Sequence, residues 1–158
     1  MRTIQPLAAV PVLSEASASE ARLTAREHAS RLGFEAQATG ELVIVASELC
    51  FNIARHAGRG EMRLSRVDDP ERGVGLELSA WDEGPRIADF DQMLQDGWSD
   101  GALLDPVQRL RARGIGAGLG AVRRLTDEVR YEELERGKAI RAVRFVRAVK
   151  RRPPPSPP

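Results

Sequence analysis

The sequence predicts a two-layer α/β (α+β) sandwich in which helices cover one face of a mostly antiparallel, mixed sheet. Three observations carry this. Apolar residues recur at helical spacing over 21–32, over 37–57 and again after Gly120. Two pairs of alternating runs, 61–67 with 74–82 and 128–135 with 139–149, are each joined by a turn. The resulting order β-α-α-β-β-α-β-β does not alternate as a doubly wound parallel fold would.

Each element has its own local signal. Residues 3–13 alternate loosely and include Pro6 and Pro11, which suits an edge strand, because proline cannot donate to a ladder. Ser17 with Glu20 three positions on predicts a capping box opening a helix over Ala21–Leu32, stopped by Gly33. A second helix over 37–57 buries the stripe Leu42, Val45, Leu49 and Ile53 and ends at Gly58 and Gly60. "EMRLSRV", the polar "DDPERG" and "VGLELSAWD" form a hairpin. The stretch 83–117 has little regular pattern beyond short helices near Asp89–Gln95 and Pro106–Arg113, and so long a connection is usually functional. "GIGAGLGAVRRLTDE" leads from glycines into a helix of about ten residues beginning near Ala121. A closing hairpin, "EVRYEELE" to "AIRAVRFVRAV", is assigned as strand on its β-branched content and Gly137.

With 158 residues, 42% apolar and 30% charged, the chain has the size of one core-forming domain, taken as 1–148 with a basic, proline-rich tail at 149–158. A formal charge of +1 gives no global electrostatic case for nucleic acid. After Glu135 every charged residue is basic, which suits either a solvated strand face or a surface for an acidic partner. The lone Cys50 on a core helix excludes a disulfide within the chain and points to a reducing, cytoplasmic setting with an inert buried thiol. No apolar run approaches the roughly 18 residues of a membrane span. The opening resembles a secretory leader only superficially, because Gln5, Pro6 and Pro11 break its apolar segment.

Three segments carry candidate chemistry. Glu48, Asn52 and His56 stand four residues apart, on one helical ridge about 12 Å long at 1.5 Å per residue. The ridge is either an exposed polar face or a set of buried groups that need partners, since an unpaired buried polar group costs about 1–3 kcal/mol. An amide oxygen can hold Mg²⁺, and a carboxylate one turn away can deprotonate a hydroxyl. Zinc is disfavoured, because asparagine is a poor ligand and His28 lies far off in sequence. Asp82 at a strand end, with Gly84 beyond it, is either a turn residue or an acceptor for an exocyclic amine. Gly114, Gly116, Gly118 and Gly120 form either a merely flexible loop or a collar whose backbone N–H groups face a polyphosphate. This is neither a P-loop nor a dinucleotide fingerprint.

In the order E-x-x-x-N, D-x-G and glycine-rich loop, the chain resembles the GHKL (Bergerat-fold) ATPases. "SELCFNIARHA", "WDEGP", "QDGWS" and "GIGAGLGAVRRLTDE" look most like the small serine/threonine kinases of bacterial partner-switching systems, the stressosome switch kinases above all, over residues 15–147. The resemblance implies a histidine-kinase-like ATPase fold, ATP and Mg²⁺ as cofactors, Glu48 as catalytic base and Asn52 as the Mg²⁺ ligand. It implies Asp82 on the adenine amine, Gly84 beside the ring, Gly114, Gly116, Gly118 and Gly120 around the phosphates, and a lid over about 97–113. His56 has no catalytic place in it and suits the helix end, where a cationic or donor side chain is favourable.

The implied substrates are STAS-domain proteins, either anti-sigma-factor antagonists or stressosome scaffolds. A PP2C-type phosphatase or a sigma factor is a second partner, and many relatives pair as homodimers. One position departs from the pattern: the last glycine of D-x-G-x-G is Arg86, whose side chain would obstruct the nucleotide or reach a phosphate or partner. The alternative function is a non-catalytic module of the same fold that binds a sigma factor or activates a phosphatase.

Overall fold

The computed structural model describes residues 1–95, 98–99, 102–103 and 118–147. Along the chain lie β1 (Thr3–Val12), α1 (Ala18–Leu32), α2 (Ala36–His56), β2 (Gly60–Asp69) and β3 (Gly73–Asp82). They are followed by α3 (Phe90–Met93), β4 (Trp98–Ser99), β5 (Ala102–Leu103), α4 (Leu119–Arg124), β6 (Glu128–Glu133) and β7 (Lys138–Phe145). Five strands form one sheet in the order β1-β2-β3-β7-β6, and β4 pairs with β5 in a separate two-stranded ladder. The expected mixed character is absent among the described residues. Every ladder of the large sheet is antiparallel, because β6 and β7 return as a hairpin whose second strand runs opposite β3.

Alternation sorts the two faces. Leu76, Leu78 and Ala80 of β3 point into the core with Leu42, Val45, Leu49 and Ile53 of α2. Each fully buried Leu, Val or Ile contributes about 1.5–3 kcal/mol. On α1, Ala18, Ala21, Ala25 and Ala29 are all buried, a small-residue stripe that packs on α2. Pro6 and Pro11 sit on the edge strand β1, whose register slips between Pro6 and Ala8.

Two local expectations change. The capping box does not form: Ser17 is itself helical and makes no capping bond, and α1 starts at Ala18. Ser14, in extended conformation, accepts from Ala16 N at 3.2 Å and caps a 3-10 turn over Glu15–Ser17, while Ser17 Oγ accepts from Leu13 N. The helix after the glycines is six residues rather than ten and starts at Leu119, not Ala121. Its end is set by the sheet, because Asp127 N donates to Val143 O at 2.8 Å and draws the chain into β6. Gly33 ends α1 as expected, with φ +100° and a Schellman pair of bonds, Phe34 N to Ala29 O and Gly33 N to Ser30 O. The helix expected near Pro106–Arg113 and the tail at 149–158 lie outside the described residues.

The basic run of β7 is matched inside the chain. Arg141 pairs with Glu77 and Glu132, Arg144 with Glu41, Arg147 with Asp127, and Lys138 with Asp82. Trp81, on the sheet face away from the helices, lies between the guanidinium groups of Arg63 and Arg141 at 4.0 and 4.6 Å from its centroid. These arginines organise the sheet itself.

At the start of the chain Arg2 bonds Asp69 at 3.0 Å and Glu128 at 2.8 and 2.9 Å. The Asp69 carboxyl is drawn down to about 2, chiefly by the backbone N–H of Glu71, then by that of Arg72 and by Arg2. A carboxylate held below its unfolded value of about 3.9 stabilises the fold above that pH, and the contribution is lost as pH falls toward 2. Asp69→Asn is therefore less stable than the parent at neutral pH in urea unfolding, and the two converge between about pH 4 and pH 2. A gap that stays constant across that window removes Asp69 from the acid response.

Candidate active site

The second half of α2 carries Glu48, Asn52 and His56 on successive turns. Glu48 is buried at 4% exposure, and Asn52 and His56 are half-buried. Asn52 and His56 open onto a cavity of about 450 Å³ whose other walls include Arg86, Ile87, Met93 and Lys138. Asn52 Nδ2 is buried with no hydrogen bond among the described residues. An amide held in this way suits a polar ligand, since an unpaired buried donor is costly.

The cavity wall from 85 to 93 is fixed against β6. Ile87 N donates to Tyr131 Oη at 3.0 Å, and the rings of Phe90 and Tyr131 stack at 5.1 Å. Asp89 caps α3 by accepting from Gln92 N. Arg86 is half-exposed at the rim, where it donates to Leu134 O at 2.6 Å and lies 3.6 Å from Glu133. Its guanidinium is thus engaged by the β6–β7 turn.

Asp82 ends β3 directly opposite Lys138, the first residue of β7. Asp82 Oδ1 accepts from Gly84 N at 2.9 Å and from Lys138 Nζ at 2.7 Å, with side-chain exposures of only 1% and 2% for the pair. Lys138 lines the cavity and Asp82 does not. Close backbone approach builds this corner. A Cβ on Gly137, which has φ +78°, would lie 1.9 Å from Asp82 O, so no other residue fits without parting β3 from β7. A Cβ on Gly84 would meet that of Ala57 at 2.7 Å, which makes this glycine a packing requirement against the end of α2.

Of the glycine collar, Gly118 adopts φ +67° and ψ −138° at the start of α4, and Gly120 is buried within that helix. Gly114 and Gly116, like most of the proposed lid, lie outside the described residues. The structure therefore brings Asn52, His56 and Lys138 to one cavity, with Glu48 a turn away on α2 and Asp82 reached through Lys138. Sequence reasoning passed over Lys138, which it treated as one of a run of basic residues. The signal was its place after Gly137 at a strand start, but its partner depends on a ladder register spanning 56 residues. Cys50 is excluded as a nucleophile, because burial pushes its thiol up to about 11. Among the described residues no cluster of three or more His, Cys, Asp or Glu could hold a metal by itself, and no helix is long and apolar enough to cross a membrane.

Residues 11–144 match the family described as histidine kinase-like ATPase domain. The chain is 33% identical over 140 residues to the serine/threonine-protein kinase RsbT of Bacillus subtilis, an alignment covering 87% of this chain and 96% of that protein. Its fold is similar to that of a chain in the crystal structure of the SiaB–SiaC complex from Pseudomonas aeruginosa, with TM-score 0.50 and 18% identity over 88% of this chain and 91% of that one.

Proposed function

This chain belongs to the histidine kinase-like ATPase domain family, and from that premise we propose that it is an ATP- and Mg²⁺-dependent serine/threonine protein kinase of a bacterial partner-switching system. The observation that carries the reading is the 33% identity to a serine/threonine kinase over nearly the whole of both chains. The buried Nδ2 of Asn52, a donor with no hydrogen bond among the described residues, is what an acceptor oxygen of a bound ligand would satisfy.

In this mechanism Glu48, one turn before Asn52 on α2, takes the proton from a partner's Ser or Thr hydroxyl. Asn52 would hold Mg²⁺ through its amide oxygen, which suits a cation that rarely has an all-protein cage. Bound Mg²⁺-ATP supplies the transferable phosphoryl group with much of its charge neutralised. Asp82 and Gly84 would serve the base end of the nucleotide site from behind the cavity wall, where Asp82 holds Lys138. Gly114, Gly116, Gly118 and Gly120 would supply backbone N–H groups to phosphate, and Gly118 has a backbone conformation other residues rarely adopt. Residues 1–148 act as one cytoplasmic unit, and the partners are STAS-domain proteins, with a PP2C-type phosphatase as a further candidate.

A binding module of the same fold is the second reading, favoured by one observation: the carboxylate of Asp82 is already held by Lys138. The two part in a thermal melt followed by a transfer assay. With Mg²⁺-ATP at 100 times its dissociation constant, a nucleotide site adds about 2.7 kcal/mol of stability. No shift with any Mg²⁺-nucleotide removes the kinase reading, and a shift with tight partner binding but no labelled phosphate on the partner favours the module.

A further inference from the structure

The basic residues that follow Glu135 divide in two. Those of β7 are matched by acids within the chain, whereas the side chain of Arg136, in the turn before β7, makes no ion pair or hydrogen bond among the described residues. Arg136 is exposed and lines a second cavity of about 450 Å³, walled also by Leu13, Arg59, Arg63, Trp81 and Leu134. This groove shares no residue with the cavity of Asn52. Three acids line it with the arginines, and two are already taken: Glu61 pairs with Arg63, and Asp82 is held by Lys138. What remains is the two unpaired guanidinium groups of Arg59 and Arg136 against one unpaired carboxylate, that of Glu83. Beside them Leu13 is 71% exposed, so bare apolar surface adjoins the free cations.

We propose that this groove docks a partner protein through a short segment that carries carboxylates beside a bulky apolar side chain. The carboxylates take the open donors of Arg59 and Arg136, whose planar forks suit them, and the apolar side chain covers Leu13. Nucleic acid fits less well, because its binding rests on many cations and here two stand against one acid. An occupant would also sit next to the nucleotide cavity, since Leu134 O accepts from Arg86 at the rim of that cavity. The docking site stands for a kinase and for a binding module alike.

The probe is a capped octapeptide of glutamate pairs interleaved with leucines, titrated into the full chain and followed through its amide signals and the indole N–H of Trp81. Versions with glutamine for glutamate, or alanine for leucine, should bind more weakly. Arg59→Ala/Arg136→Ala should raise the dissociation constant about 3- to 30-fold, as the loss of two exposed ion pairs implies. Glu83→Gln should act in the opposite direction and tighten binding, which a mere disturbance of folding would not do. None of these three residues lines the nucleotide cavity, so the melting shift with Mg²⁺-ATP should stay that of the parent. The proposal is overturned if the peptide does not bind, if the arginine or Glu83 changes leave its affinity unaltered, or if a single-stranded oligonucleotide binds as well. A parent dimer that the arginine changes dissociate would make the occupant a second copy of the chain and overturn it too.

Discussion

Glu48→Ala lowers the rate of phosphoryl transfer to a partner protein by about 10²–10⁴-fold, the usual contribution of a positioned general base. The affinity for Mg²⁺-nucleotide stays within about threefold, because Glu48 is not among the residues that line the cavity, whereas Asn52 one turn away is. Glu48 is almost fully buried in the helix whose neighbouring face builds the core, so the backbone that carries it is rigid. Glu48→Gln keeps the shape and the hydrogen-bonding capacity and removes the base, and it should lose activity to the same extent. Transfer is followed with labelled nucleotide, affinity by titration and folding by a melt of each variant. A loss below tenfold in both variants, with the melts unchanged, would falsify the assignment of Glu48 as base. Loss of binding together with transfer would instead make it part of the nucleotide cradle.

The features legible in the sequence are those whose cause is local. Helix α2 is readable because Leu42, Val45, Leu49 and Ile53 share one face, and the structure buries all four. Both hairpins follow from alternation broken by polar turns, and Gly33 marks its helix end through a conformation that favours glycine. The misread cap shows how close alternatives compete: Ser14 and Ser17 both precede the helix, and the earlier one captures the free N–H. The short helix α4 shows tertiary override, since Asp127 joins the sheet by bonding Val143, a residue 16 positions away that no local pattern connects to it.

The candidate site divides along the same line. Asn52 and His56 could be placed together from helical spacing, and the end of β3 could be placed near them from the sandwich. The register that sets Asp82 opposite Lys138 could not be read, because β7 reaches β3 only after a crossover of more than fifty residues. The same non-local geometry assigns Gly84 and Gly137 to close packing, a demand visible only when the atoms they would strike are in place.

That corner makes the second large effect a matter of stability. Lys138→Met leaves Asp82 buried without its cation, and breaking a buried pair from one side costs about 3–5 kcal/mol. Asp82→Asn leaves the ammonium uncompensated and is costly for the same reason. The double change Asp82→Asn/Lys138→Met removes both charges, and the amide oxygen at position 82 can still accept from Gly84 N. Pairs replaced in this way are often neutral, so the double variant should lie within about 1.5 kcal/mol of the parent. Urea unfolding of all four proteins yields a coupling energy of about 2 kcal/mol or more, well above the 0.3–0.5 kcal/mol within which independent sites add. If the two single losses simply sum, Lys138 is not the counter-charge of Asp82 in solution, and the end of β3 is held by the tight backbone approach at Gly137 alone.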